Sequence, residues 1–70
     1  MENDEKMEII ADIFDMDIEE LNVDRELSTL EAWDSVAMLS VIAVAKASGT
    51  IVTGAMIREM KTIADVLNVF

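Results

Sequence analysis

The 70-residue chain has no cysteine, no histidine and no proline, only two glycines, and three aromatic residues, Phe14, Trp33 and Phe70. Without cysteine there is no disulfide to staple a small fold and no protein thiol to act as a nucleophile. Without histidine or cysteine, the usual zinc sites and any Ser-His-Asp or Cys-His catalytic arrangement are excluded. Bases are also scarce, with five Lys and Arg against fifteen Asp and Glu and a net charge of −10. Nucleic acid and anionic lipid are both held by positive patches, so neither is expected as a partner. Long apolar runs are missing too. The longest nearly continuous apolar run, Val36 to Ala45 with only Ser40 polar, is ten residues, about half of what a bilayer crossing needs. The acidic start, Met1-Glu-Asn-Asp-Glu-Lys6, is the opposite of the basic beginning of a secretory signal. A cytoplasmic, non-enzymatic, monomeric protein without membrane insertion is expected.

What the chain does have is apolar mass and segregated charge. Hydrophobic residues make up 53% of it, too many for disorder. Its length suits one domain, residues 1–70, that buries only about 60% of its unfolded surface. Residues 1–35 hold thirteen acids against Lys6 and Arg25, while residues 36–70 hold Glu59 and Asp65 against Lys46, Arg58 and Lys61. Such an acidic half keeps a greasy domain soluble, and it also steers positively charged partners.

The apolar spacing predicts an amphipathic helix over Glu5–Met16, with Met7, Ile10, Ile13 and Phe14 inward and Glu8, Asp12 and Asp15 outward. The period is lost from Asp17 to Asp34, where Ile18, Leu21, Val23, Leu27 and Leu30 read as anchors of a long loop with one helical turn near Glu19–Asn22. So long a connection in a compact domain is usually functional. A second helix is predicted from an N-cap at Asp34 or Ser35 through Lys46, apolar nearly all round and ended by Ser48-Gly49-Thr50. Ile51-Val52 reads as a short apolar tie and Gly54–Glu59 as a short third helix with Met56, Ile57 and Met60 inward. Thr62, with Asp65 three residues on, opens a last helix by a capping box. The fold class is all-α, a small four-helix bundle of three main helices and one short one, with a long loop between helices I and II.

Ser35 stands where the unpaired N–H groups and the positive dipole end of the second helix converge, a place suited to a phosphate ester on its hydroxyl. Asp-Ser before an apolar run is equally what an ordinary helix start looks like. The wider order of Leu27-x-x-Leu30-x-x-Trp33-Asp34-Ser35-Val36, an apolar helix, a glycine-containing break and Thr62-Ile63-Ala64-Asp65-Val66-Leu67 resembles the acyl carrier proteins along essentially the whole chain. The resemblance implies a 4′-phosphopantetheine arm, attached to Ser35 from coenzyme A by a phosphopantetheinyl transferase, with an acyl or aminoacyl cargo carried as a thioester. The thiol chemistry missing from the chain would thus come with the prosthetic group. It implies Asp34 as a contact for the transferase and its magnesium. It also implies Val36, Leu39, Ser40, Ala43, Met56 and Ile57 as contacts for partners or cargo. The partners would be acyl ligases, synthases or transferases of fatty-acid, polyketide or another biosynthetic pathway.

Two features depart from the family's pattern. Ala32-Trp33 precede Asp-Ser where fatty-acid carriers usually place a glycine, which is more like carriers of amino acids, short acids or specialised cargo. Ser40, Lys46 and Ala47 stand where the family's second helix carries glutamates that pair with partner enzymes. Charge steering would then fall to Asp12, Asp15, Glu19, Glu20, Asp24, Glu26 and Glu31.

Other readings attach to the same residues. Asp15, Asp17, Glu19 and Glu26 fall at positions 1, 3, 5 and 12 of a calcium loop, but Glu20 replaces the glycine at position 6. A non-catalytic, acidic helical interaction module would dock through its second helix and leave Ser35 as an N-cap. The six methionines, Met1, Met7, Met16, Met38, Met56 and Met60, would suit an adaptable surface or fill gaps in a core. Trp33 reads as a plug holding the loop onto the bundle, its indole N–H on a nearby carbonyl. Ala37, Ala43 and Ala45 are candidates for leaving space for a short chain beside the second helix.

Overall fold

Each helix begins and ends where side-chain and backbone chemistry demand it. The computed structural model describes residues 2–70, so Met1 lies outside the described residues. Helix α1 (Asn3–Phe14) buries Ile10, Ala11 and Phe14 and carries Asp4 and Glu5 in its first turn, where carboxylates meet the positive dipole end. It lies two residues earlier than the spacing predicts. Asp15 turns left-handed at φ 53° and Met16 N–H bonds back to the Ala11 carbonyl at 2.9 Å, which closes the helix before Met16 can join it.

Helix α2 (Ser35–Ala47) buries Ala37, Val41 and Ala45, one residue per turn. It ends at Gly49, whose φ of +92° is a conformation that favours glycine. Gly49 N–H and Thr50 N–H close it onto the Lys46 and Ala45 carbonyls at 3.0 and 2.8 Å. Val52 then enters the core while Ile51 stays 71% exposed, so only half of the apolar tie is buried. Helix α3 (Gly54–Glu59) is capped by Thr53, whose Oγ1 accepts the Met56 N–H at 3.2 Å.

Helix α4 (Ile63–Asn68) starts where Asp65 Oδ2 accepts the N–H groups of Lys61 at 2.8 Å and Thr62 at 3.1 Å. It is six residues long, not a main helix. Beyond Asn68 the bonding tightens to Val69 N–H on Val66 and Phe70 N–H on Leu67, a 3₁₀ close. The bundle therefore has two long helices and two short ones, all-α as expected.

The connection from α1 to α2 is more ordered than its sequence implies. It forms two 3₁₀ turns, Ile18–Glu20 and Leu27–Thr29, where one turn was expected. It is also stitched to the start of α4. Leu27 N–H donates to the Lys61 carbonyl at 2.8 Å, Ile63 N–H to Arg25 at 3.2 Å and Ala64 N–H to Val23 at 2.9 Å. Glu26 and Thr62 meet there as an isolated antiparallel bridge, and no strand forms among the described residues. Leu27 and Leu30 complete one core with Ile10, Phe14, Val41, Ile57, Ile63 and Val66. Met7, Met16, Met38 and Met60 are half-buried, and Met16, Met38 and Met60 pack against that core, while Met56 is 39% exposed. Gap-filling thus describes Met16, Met38 and Met60, whereas Met56, expected on the inner side of α3, lies outward because Ile57 takes the core position.

Asp15 sits at the negative end of α1, whose last turn has no basic residue. Asp15→Asn keeps a side chain that tolerates the left-handed backbone and removes the repelled charge. It is expected to stabilise the protein by about 0.5 kcal/mol at low salt, with the gain shrinking as salt is added. Urea unfolding at two ionic strengths checks this.

The two backbone N–H donors hold the Asp65 carboxyl below its usual value of 3.8. A lowered folded-state pKa contributes stability above 3.8 that is lost as pH falls below it, because the unfolded chain takes the proton more readily. Asp65→Asn should therefore lie below wild type in urea midpoint near neutral pH. The gap should narrow as the pH is taken below 3.8 in a series of urea titrations.

Candidate functional site around the start of helix α2

The loop delivers its last residues to α2 in a fixed order. Trp33 N–H bonds to the Leu30 carbonyl at 3.1 Å and Asp34 N–H to Ala32 at 3.0 Å. Half-buried Trp33 then sets its ring edge-on to Phe14 of α1, with centroids 5.8 Å apart and planes at 75°, a favourable aromatic geometry. The plug reading of Trp33 holds for its packing. Its indole N–H has no protein acceptor among the described residues, which a half-buried ring permits because water reaches it.

Asp34, extended at φ −115° and ψ −176°, is the N-cap, and its Oδ1 accepts the Ala37 N–H at 2.9 Å. Ser35 is the first helical residue and is exposed. Its hydroxyl makes no hydrogen bond to protein among the described residues. The other two serines of this helix region behave differently: Ser40 donates to the Val36 carbonyl at 3.0 Å and Ser48 to Val44 at 3.1 Å. The N–H groups of Ser35 and Val36 fall in the first turn, where an α-helix offers no carbonyl to them. An exposed hydroxyl thus stands beside two open backbone donors at the positive end of a 13-residue helix.

The side of α2 that leads away from Ser35 is apolar and bare. Val36 is 69% exposed and Leu39 65%, Ala43 is exposed one turn further on, and Lys46 follows. Ser40 is half-buried, its hydroxyl turned back on its own helix. Ile57 is 2% exposed and belongs to the core. It cannot offer a surface contact to a partner, because the inward side of α3 is where its hydrophobicity is used.

The alanines do not open a channel. Ala37 and Ala45 are 4% and 0% exposed within the packed core, while Ala43 faces solvent. Open space lies elsewhere, including a cleft of about 350 Å³ between the loop and the α3–α4 link. Its loop wall carries Glu26, Leu27, Ser28 and Trp33, and its α3–α4 wall Arg58, Met60 and Lys61. Nothing in the sequence spacing signals this cleft. Its two walls are about thirty residues apart in sequence and are joined by the backbone bonds between Arg25–Leu27 and Lys61–Ile63 and by the core shared by Leu27, Ile57 and Ile63.

The acids remain dispersed. All thirteen acids of residues 1–35 are exposed. Among the described residues no three carboxylates gather where a metal ion could be held. The calcium spacing is broken by the 3₁₀ turn at Ile18–Glu20. No described helix is long and apolar enough to cross a membrane. Compared with protein-family models, curated proteins and solved structures, the chain finds no match.

The division of labour between Asp34 and Ser35 has a measurable consequence. Asp34→Ala removes the cap and should cost about 1 kcal/mol of stability. Ser35→Ala removes a hydroxyl without a protein partner and should stay within about 0.5 kcal/mol of wild type. Urea denaturation of the two variants side by side provides the check.

Proposed function

We propose that the protein is an acyl carrier, bearing a 4′-phosphopantetheine arm on Ser35 and presenting its cargo to partner enzymes. The observation that carries this reading is the idle hydroxyl of Ser35. Asp34 already caps the helix through Ala37, so the structure gives the serine hydroxyl no work of its own. The surroundings fit a phosphodiester at that oxygen, with an exposed site, open N–H groups at Ser35 and Val36, and the positive end of α2. The arm would supply the terminal thiol that holds an acyl or aminoacyl group as a thioester. The chain itself would anchor the arm, neutralise the phosphate charge and dock the enzymes.

Docking would rest on two surfaces. Val36, Leu39 and Ala43 offer a bare apolar stripe next to the attachment point, with Met56 exposed on α3. The acids of α1 and the loop would attract a phosphopantetheinyl transferase and acyl ligases, synthases or transferases from a distance. The free second oxygen of Asp34 is available to the transferase. A second reading, a non-catalytic docking module, draws on that same apolar stripe, but it assigns nothing to Ser35, whose capping role belongs to Asp34.

Intact mass after incubation with coenzyme A, magnesium and a broad-specificity phosphopantetheinyl transferase decides between them. Wild type is expected to gain one phosphopantetheine and Ser35→Ala none. A folded wild-type protein that stays unmodified, including with transferases from its own genome, would sink the carrier reading in favour of the docking module.

A further inference from the structure

The cleft beside Trp33 has a composition that selects its occupant. Two of the chain's five bases, Arg58 and Lys61, line it, against one acid, Glu26. In a molecule of net charge −10, this lining has more bases than acids, and both cations are exposed at its mouth. The hydrogen bonds that fix Lys61 are made by its main chain, whose carbonyl accepts from Leu27 at 2.8 Å and whose N–H donates to Asp65 at 2.8 Å. Its ammonium head makes no hydrogen bond to protein among the described residues, although its charge helps to hold the Asp65 carboxyl low, and the Arg58 guanidinium donates to no protein group among the described residues.

Three classes of ligand fit badly. A neutral aliphatic chain would fill the apolar lining but leave the two exposed cations without a partner. A cation would be repelled by the local excess of positive charge. A bare inorganic anion would make no use of the apolar lining of Leu27, Trp33 and Met60. What matches is a short apolar body ending in a carboxylate, and about 350 Å³ is enough for a body of a few carbons. Glu26, on the loop side, would repel the carboxylate and set its orientation towards Arg58 and Lys61 on the opposite wall.

We propose that this cleft binds a short carboxylate-terminated ligand, its methylenes against Trp33 and Met60 and its carboxylate on Arg58 and Lys61. Trp33 is two residues from Ser35, at most about 7 Å along the chain. Where the carrier reading holds, the ligand is the far end of a dicarboxylic acyl cargo, and that identification rests on the carrier reading. The cleft itself does not depend on it.

The test follows the indole N–H resonance and fluorescence of Trp33, the only tryptophan, in the full unmodified chain. Monoethyl glutarate, a carboxylate with a capped chain, is expected to give a saturable shift in millimolar excess. Neutral diethyl glutarate should bind about tenfold more weakly, the difference expected of a charge-assisted hydrogen bond. The double variant Arg58→Gln, Lys61→Gln should lose that preference while keeping the wild-type melting temperature. Equal shifts with the two esters, or a preference that survives in the double variant, would overturn the proposal.

A second arm loads Ser35 with glutaryl- or valeryl-phosphopantetheine. Tethering raises the local concentration into the millimolar range, so the glutaryl form should shift Trp33 and the valeryl form should not. Failure of Ser35 to accept either group counts against the carrier reading alone, because the free-ester titration still decides the cleft. No carboxylate-selective shift from the free or the tethered ligand overturns the cleft proposal itself.

Discussion

The backbone stitching between the long loop and the start of α4 is the constraint on which the rest of the molecule depends. Three N–H···O bonds join Val23, Arg25 and Leu27 to Ala64, Ile63 and Lys61. A connection of this length, without proline and with few periodic contacts, loses much conformational entropy on ordering. The stitching and the burial of Leu27 and Leu30 offset that loss. Once the loop is tied down, the direction from which it reaches α2 is set. Trp33 is placed against Phe14, Asp34 falls at the cap, and Ser35 emerges exposed. The same bonds bring Arg58 and Lys61 opposite Trp33 and so create the cleft. Loop order, site and cleft are therefore consequences of one tie, made largely of main-chain groups.

That dependence explains which parts of the structure were legible from sequence. Helix ends governed by local chemistry were readable: Asp34 or Ser35 before α2, Gly49 after it, and Thr62 with Asp65 three residues later. Each needs only the side chain at that position and its neighbours within a turn. The left-handed Asp15 was not readable, because aspartate adopts that conformation far less often than glycine and the apolar period runs on to Met16. Nor was the Glu26–Thr62 bridge, which joins residues distant in sequence with no shared pattern. At the candidate site, the residue positions were legible but not their division of labour. Asp34 and Ser35 are both good caps, and only the geometry assigns the role to the aspartate and leaves the serine free. Ile57 shows the opposite case, since apolar character marks a core residue and a contact residue alike until its burial is known.

Charge segregation gives the molecule two electrostatic regimes. The acids of α1 and the loop are exposed and unclustered, so they act through their summed field and not through any one pair. That field is felt by an approaching partner but is damped over about 8 Å at physiological salt. The molecule spans 28 by 25 by 19 Å, so acids more than that screening distance from the cleft add little to the potential inside it. There, nearby Arg58, Lys61 and Glu26 dominate. A strongly acidic protein can in this way keep one recess lined by more bases than acids without contradiction. In the proposed reading, the long-range field would bias which macromolecules approach, and the recess would select the small group held after they do.

The apolar stripe on α2 belongs to the short-range part of this arrangement. Val36 and Leu39 leave most of their surface in water, and a small fold has little hydrophobic surface to spare from its core. The helix does not need them outside for its own stability, since Ala37, Val41 and Ala45 already supply the buried stripe. Burying an exposed valine or leucine on contact with a partner is worth about 1.5–3 kcal/mol each before the costs of association. The stripe begins one residue after Ser35. A partner that covers Val36 and Leu39 is therefore brought up against the serine hydroxyl and the open N–H groups at the helix start. In the proposed reading, apolar contact would fix position at the point of group transfer, a role that screened and dispersed acids cannot perform.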